Sequence, residues 1–206
     1  MTTLLISQTN GSAHATPSGH AERQERIEAA AKALGHPRFG ALTREAAGPG
    51  DLDLAELVHS RKVMDTIRET RTAEGIGQID ADTFISSRSL EASATALGGV
   101  LRGIEAVILG EVHNAFVLAR PPGHHAERDR SMGFCLVNTI AIAARQAQRL
   151  YGAERVAIVD FDVHHGNGTQ DIFEGDPSVF YASSHQMPLY PGTGAPRERG
   201  VGNIVN

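Results

Sequence analysis

Apolar residues recur at helical spacing in the middle of the chain. Leu90, Ala94, Leu97, Leu101, Ile104 and Ile108 follow one another in steps of four and three, which makes one stripe of a core-packed helix. Residues 21–34 are rich in helix formers and stop at Gly35 with Pro37 just beyond, so a helix is expected there. Residues 54–67 read as another, opened by Asp53 with Glu56 three positions on as a capping box. The stretch 75–89 is polar and reads as a loop carrying Asp80 and Asp82. Residues 116–119 form a short strand that runs into Arg120-Pro121-Pro122-Gly123. A helix over 132–151 follows, apolar almost all round from Leu136 to Ala144 and therefore buried, and closed by Gly152. Residues 156–159 and 179–182 read as buried parallel strands, and the run from Gly202 to Asn206 as the opening of one more. Strands alternating with helices predict an α/β domain around a parallel sheet.

Composition narrows the functional classes. A chain of 206 residues suits one domain and buries roughly 70% of its unfolded surface. The formal charge of −5 lacks the basic face that non-specific nucleic-acid binding needs. The lone cysteine, Cys135, excludes an intrachain disulfide and a thiolate-rich zinc site; burial as a small apolar residue is its expected fate. No apolar run reaches the ~18 residues of a membrane span. Leu4-Leu5-Ile6 has no basic region before it and does not read as a signal peptide. The expectation is a cytoplasmic protein with no membrane or direct nucleic-acid partner.

Histidine is the exception to this ordinary composition. Five of the ten fall in one stretch: His124, His125, His164, His165 and His185. Asp160-Phe161-Asp162-Val163-His164-His165-Gly166-Asn167-Gly168 directly follows an apolar strand. If the extended conformation continues, Asp160, Asp162 and His164 share one face. Two carboxylates and an imidazole at the carboxyl end of a parallel strand suit a divalent metal, whereas side by side without a cation the carboxylates repel. Arg120-Pro121-Pro122-Gly123-His124-His125-Ala126 stiffens a strand exit and aims two imidazoles in a fixed direction, offering a general base and a partner. The glycines form no GxGxxG and no GKS or GKT follows, so a phosphate loop is unsupported; no GxSxG marks a serine hydrolase.

These residues carry a resemblance. The run 120–126, Gly133-Phe134-Cys135, the run 160–170 and Tyr190-Pro191-Gly192-Thr193-Gly194 stand in the order of the zinc-dependent histone deacetylase superfamily, which includes acetylpolyamine amidohydrolases and acetoin-utilisation proteins. The likeness begins near His20 and reaches the last residue; Asn167 with Thr169-Gln170 is similar to the class II branch. It implies a three-layer α/β/α arginase–deacetylase fold with a central parallel sheet, and hydrolysis of an acetylated lysine in a protein or of a small acetylated amine. It implies Asp162 and His164 as ligands of Zn2+, His125 as general base and acid, and His124 as an electrostatic partner oriented by Asp160. Asn167 stands behind His125, where a carboxylate would favour the charged imidazole; the amide predicts a lower His125 pKa. Gly133, Phe134 and Tyr190 would line the acyl channel, the family usually having Phe at the last position. Asp80 is the first choice for a rim carboxylate and Asp82 the second. K+ would sit beside the strand at Asp160, Asp162, His164, Ser183 and Ser184, and a second K+ at Phe173, Asp176 and Val179.

The family's third zinc ligand is a downstream Asp and its oxyanion donor a downstream Tyr. Tyr151, Tyr181 and Tyr190 do not stand in that motif, and Glu198 is the only acid after Asp176. The expectation is therefore a catalytic domain incomplete at its C-terminus, weakly active or inactive alone. The competing readings are a degenerate metal-binding or interaction protein, and a ureohydrolase on the same fold, which the tandem His124-His125 fits less well.

Overall fold

The computed structural model describes residues 1–206. Its first apolar run becomes strand β1 (Thr3–Ser7), with Leu4, Leu5 and Ile6 buried. β1 is the middle of a parallel sheet, between β2 (Thr43–Ala46) and β5 (Asn114–Leu118). A second parallel sheet runs β6 (Val156–Asp160), β7 (Val179–Ser183) and β8 (Ile204–Val205). The predicted parallel sheet is thus present as two three-stranded pieces, and β5 and β6 each end one of them without pairing together.

The second sheet is covered on one face only. Ile158, Val179, Tyr181 and Ile204 enter the main core, while Val159 is 68% and Phe161 86% exposed on the other side. The expectation of strands buried on both faces therefore holds for one face of β6. The polar stretch before the long helix also differs from a plain loop. It folds into an antiparallel hairpin of β3 (Ile76–Gln78) and β4 (Phe84–Ser86), which puts Ile85 in the core.

Five helices pack on the sheets: α1 (Gln24–Leu34), α2 (Arg61–Thr70), α3 (Ser89–Ile108), α4 (Thr139–Tyr151) and α5 (Asn167–Phe173). The predicted stripe does form α3, but its most buried face is a different one. Ala92, Ala96, Gly99, Gly103 and Ala106 are buried, whereas Ile108 is exposed. A side chain on Gly99 or Gly103 would press against Val117, so small residues set how closely α3 approaches β5. Leu97, Leu90 and Leu101 face the main core instead.

Two predicted helices start or break elsewhere. Residues 54–67 are split into a 3-10 helix (Leu52–Leu57) and α2. The cap is Asp51, whose carboxylate accepts from Asp53 N at 2.9 Å, not Asp53. The break is pinned from far along the chain: buried His59 donates from Nδ1 to Glu127 O at 2.7 Å and accepts Asn138 N on Nε2 at 2.9 Å. The helix expected over 132–151 starts only at Thr139, capped by the Asn138 side chain on Ala141 N. Gly133 and Phe134 have φ of 57° and 69°, which no right-handed helix accommodates.

Buried neutral histidines make this fold acid-labile. Burial, then the charge of Arg120, lowers the His14 pKa to about 3, and burial lowers that of His59 to about 4. The unfolded chain, with ordinary values of 6.5, binds these protons first, so stability present above pH 6.5 is lost as the pH falls towards 4. Each group contributes about 1 kcal/mol of loss per pH unit in that window. Urea unfolding at pH 7.5 and 5.5 should show the lower stability at pH 5.5; equal midpoints would contradict neutral burial.

Candidate active site

β6 ends at Asp160, and the next four residues turn rather than extend. Asp162 N donates to Asp160 Oδ1 at 3.1 Å, and His164 N to Asp162 Oδ1 at 2.8 Å. Two side-chain-capped turns in series, not the alternation of a strand, place these groups. The result separates their jobs. Asp162 Oδ1 and His164 Nδ1 lie 3.1 Å apart on the open side of the turn. Asp160 points the other way, where its Oδ2 meets His124 Nδ1 at 2.9 Å and accepts the Tyr181 hydroxyl at 3.0 Å. Burial opposes ionisation of Asp160, yet the bond and charge of His124 and the bonds from Asp162 N and Tyr181 hold its pKa below the usual range. Gly166 closes the corner, because a Cβ there would collide with Asp160 Oδ2 and the Tyr181 hydroxyl.

His125 is the more buried of the pair. Its Nδ1 lies 2.7 Å from Asn167 Oδ1, and the Asn167 amide donates in turn to Glu127 Oε1 at 2.6 Å and approaches Met132 Sδ. Glu127 thereby fixes which end of the amide faces His125. Since Oδ1 can only accept, His125 carries its hydrogen on Nδ1 and leaves Nε2 bare. Burial, then the His124 imidazole, lowers the His125 pKa to about 4 against the pull of the Asn167 bond. The His125 ring centre is 4.0 Å from that of His124 and 6.0 Å from that of His164. Gly133 packs on its face, where φ of 57° and contact with the ring both exclude a side chain.

A cleft of about 650 Å3 opens over these groups. His124, His125, Asp162, His164, Gly133, Phe134 and Tyr190 all line it. Tyr190 meets the His125 ring edge-on at 5.1 Å, and Phe134 meets His20 at 4.9 Å. Phe134 N donates to Thr83 Oγ1 at 3.0 Å, which fixes its left-handed backbone. Asp82 stands at the cleft and Asp80 does not. Asp80 is spent on its own turn, its Oδ1 accepting Asp82 N and Thr83 N at 3.1 and 2.8 Å. Burial, then Asp80, raises the Asp82 pKa above the usual carboxylate range. Cys135 is fully buried, and burial pushes its thiol up, away from reactivity.

Sequence reasoning missed three contributors. Glu127 had a visible signal, a carboxylate two positions after the tandem histidines. Arg120 and Glu22 form a buried ion pair on the cleft wall, with Nη2–Oε2 at 2.8 Å, and Arg120 Nη1 also donates to Gly11 O and His14 O. Arg26 lines the cleft from α1. Around the strand end, Ser184 N donates to Asp160 O at 3.0 Å and Ser183 Oγ lies 2.8 Å from His185 Nδ1. The three carbonyls of Phe173, Asp176 and Val179 do converge, on the side-chain nitrogen of Asn203.

Comparison with known proteins decides the family. The model of the histone deacetylase domain matches residues 20–206. The chain belongs to the histone deacetylase family. It is 42% identical over 198 residues to an uncharacterized protein of Synechocystis, covering 94% of this chain and 64% of the relative. It is 42% identical over 165 residues to the polyamine deacetylase HDAC10 of Rattus norvegicus, covering 73% of this chain and 28% of that one. The crystal structure of the HDA15 HD domain superposes with a TM-score of 0.90 at 35% identity, over 98% of this chain and 62% of that domain. The fold is therefore the α/β arginase–deacetylase fold, and this deacetylase-family chain spans less than two thirds of these relatives.

The donor set of this histone deacetylase relative fits a divalent ion as two of its ligands. Two donors bound at ~2.0 Å and a tetrahedral angle lie about 3.3 Å apart, close to the 3.1 Å between Asp162 Oδ1 and His164 Nδ1. No third His, Cys, Asp or Glu joins them. Tyr181 spends its hydroxyl on Asp160, and Tyr190 is a wall of the cleft.

The amide of Asn167 is the adjustable part. Exchanging it for a carboxylate, Asn167→Asp, puts an opposite charge beside His125 and should raise its pKa from about 4 by about 1–3 pH units. NMR titration of the His125 ring in metal-free protein measures this directly. An unmoved midpoint would show that Asn167 does not govern the proton.

Proposed function

We propose that the site hydrolyses an N-acetyl amide, of an acetylated lysine or a small acetylated amine. The observation that carries the reading is the facing of two hydrogen-bonded imidazoles, His124 on Asp160 and His125 on Asn167, with the Asp162–His164 donor pair at the base of one cleft. The likeness to HDAC10 of Rattus norvegicus, a polyamine deacetylase, supports an acetylated amine as the substrate class.

The acyl-amine stem would pass between Phe134 and Tyr190, with the Asp82 carboxylate at the cleft accepting an N–H of the substrate. A zinc ion, with Asp162 and His164 among its ligands, would supply polarisation of the amide carbonyl and a lowered pKa of water. His125, neutral at pH 7 and bare at Nε2, takes the proton of the attacking water as general base. The same nitrogen then returns it to the leaving amine as general acid. His124, held at Nδ1 by the ionised Asp160, stands beside the developing oxyanion. The buried pair Arg120–Glu22 keeps the wall behind the tandem histidines rigid.

Assays of the protein with an acetyl-lysine peptide and an N-acetylated polyamine, with zinc supplied, test this. Weak hydrolysis, sensitive to chelator, is expected, because no third carboxylate, histidine or cysteine joins Asp162 and His164. His125→Ala should lower kcat by about 10²–10⁴-fold with little change in KM. Absence of hydrolysis with either substrate, or activity indifferent to His125→Ala, would remove the proposal.

A further inference from the structure

Three backbone carbonyls converge where α5 gives way to β7. Asn203 Nδ2 lies 2.8 Å from Phe173 O, 2.9 Å from Asp176 O and 2.8 Å from Val179 O. Asp176 N and Val179 N already donate to Phe173 O and Asp176 O, and carbonyl oxygens brought this close in a buried place still repel unless a donor or a cation stands between them. Family resemblance places a second potassium ion on these three residues. The structure puts the side-chain amide of Asn203 there instead, and the residue is only 6% exposed.

Two further observations set the amide against the ion. Asn203 Oδ1 is buried with no hydrogen-bond partner, so the side chain gives up one polar group in order to aim the other at the carbonyls. Turning the amide round would face Oδ1 with three oxygens, which determines the assignment of nitrogen and oxygen. The corner also holds a positive charge already. Arg145 Nη1 pairs with Asp176 Oδ2 at 2.6 Å, and its guanidinium lies over the Phe173 ring at 4.8 Å. The Asp176 carboxylate is thus spent, its other oxygen accepting Ser178 N and Oγ.

We infer that Asn203 replaces the second potassium ion in this chain, closing the α5–β7 corner with an amide in place of a cation. The consequence reaches the site, because the helix clamped at Phe173 begins at Asn167, the partner of His125. In this chain the position of Asn167 is secured without occupancy of that ion site. The inference concerns the fold and stands whether or not the site is a deacetylase.

Thermal unfolding in potassium chloride and in tetramethylammonium chloride of equal ionic strength tests it. The large organic cation cannot occupy a space filled by one amide nitrogen, and any ion bound near Asp160 affects all variants alike. Asn203→Ala, which empties the position, should lose several degrees in tetramethylammonium and recover at least half of them in potassium. The unaltered protein should show a smaller difference between the salts. Equal salt responses in the two proteins would overturn the inference. Should Asn203→Ala fail to fold in either salt, crystals of the unaltered protein grown with thallium(I) decide the matter by anomalous scattering. No peak is expected among the three carbonyls; a peak there, with the Asn203 side chain displaced, would overturn it.

Discussion

Two side-chain hydrogen bonds join halves of the molecule that share no strand pairing. His124 and His125 leave the first sheet at the exit of β5, while Asp160 and Asn167 lie at the end of β6 and the start of α5, in the second. The bonds His124–Asp160 and His125–Asn167 span that junction at 2.9 and 2.7 Å. The site is therefore a structural seam as well as a reactive surface. Its geometry follows from how the two sheets dock, and the docking is fixed in part by the site.

The polar groups of the seam are kept in fixed states by what surrounds them. Asp160 receives three donors and stays ionised despite burial. His125 receives none that would favour its charged form strongly enough to offset burial and the neighbouring imidazole, and stays neutral. Two adjacent histidines thus face different partners, a carboxylate and an amide. Perturbed titratable groups set close together, here Asp160 held ionised and His125 held neutral, are characteristic of acid–base sites. Glu127 extends the order one residue further, since the amide it holds can face His125 only with its oxygen.

Much of this was legible in the sequence, and the gaps have a common cause. The motif residues 120–126 and 160–170 carry their own turns and glycines, so their meeting at the carboxyl ends of strands could be read from local chemistry. The helix α3 was legible from its period, although not its deepest face, because small residues mark a close approach that hydrophobicity alone does not show. The break at residues 58–60 depends on His59 bonding to Glu127 and Asn138, partners distant in sequence. That Asp82 lines the cleft while Asp80 caps its own turn depends on the hairpin β3–β4, which the polar stretch does not announce. Asn203 left no signal, since its three partners are backbone carbonyls.

The seam fixes the tautomer of His125. Long-range 1H–15N correlation of the histidine rings at pH 7, in metal-free protein, reads that state without reference to activity. A neutral His125 with its hydrogen on Nδ1 and an unprotonated Nε2 is expected. A charged His125, or a neutral one protonated at Nε2, would contradict it.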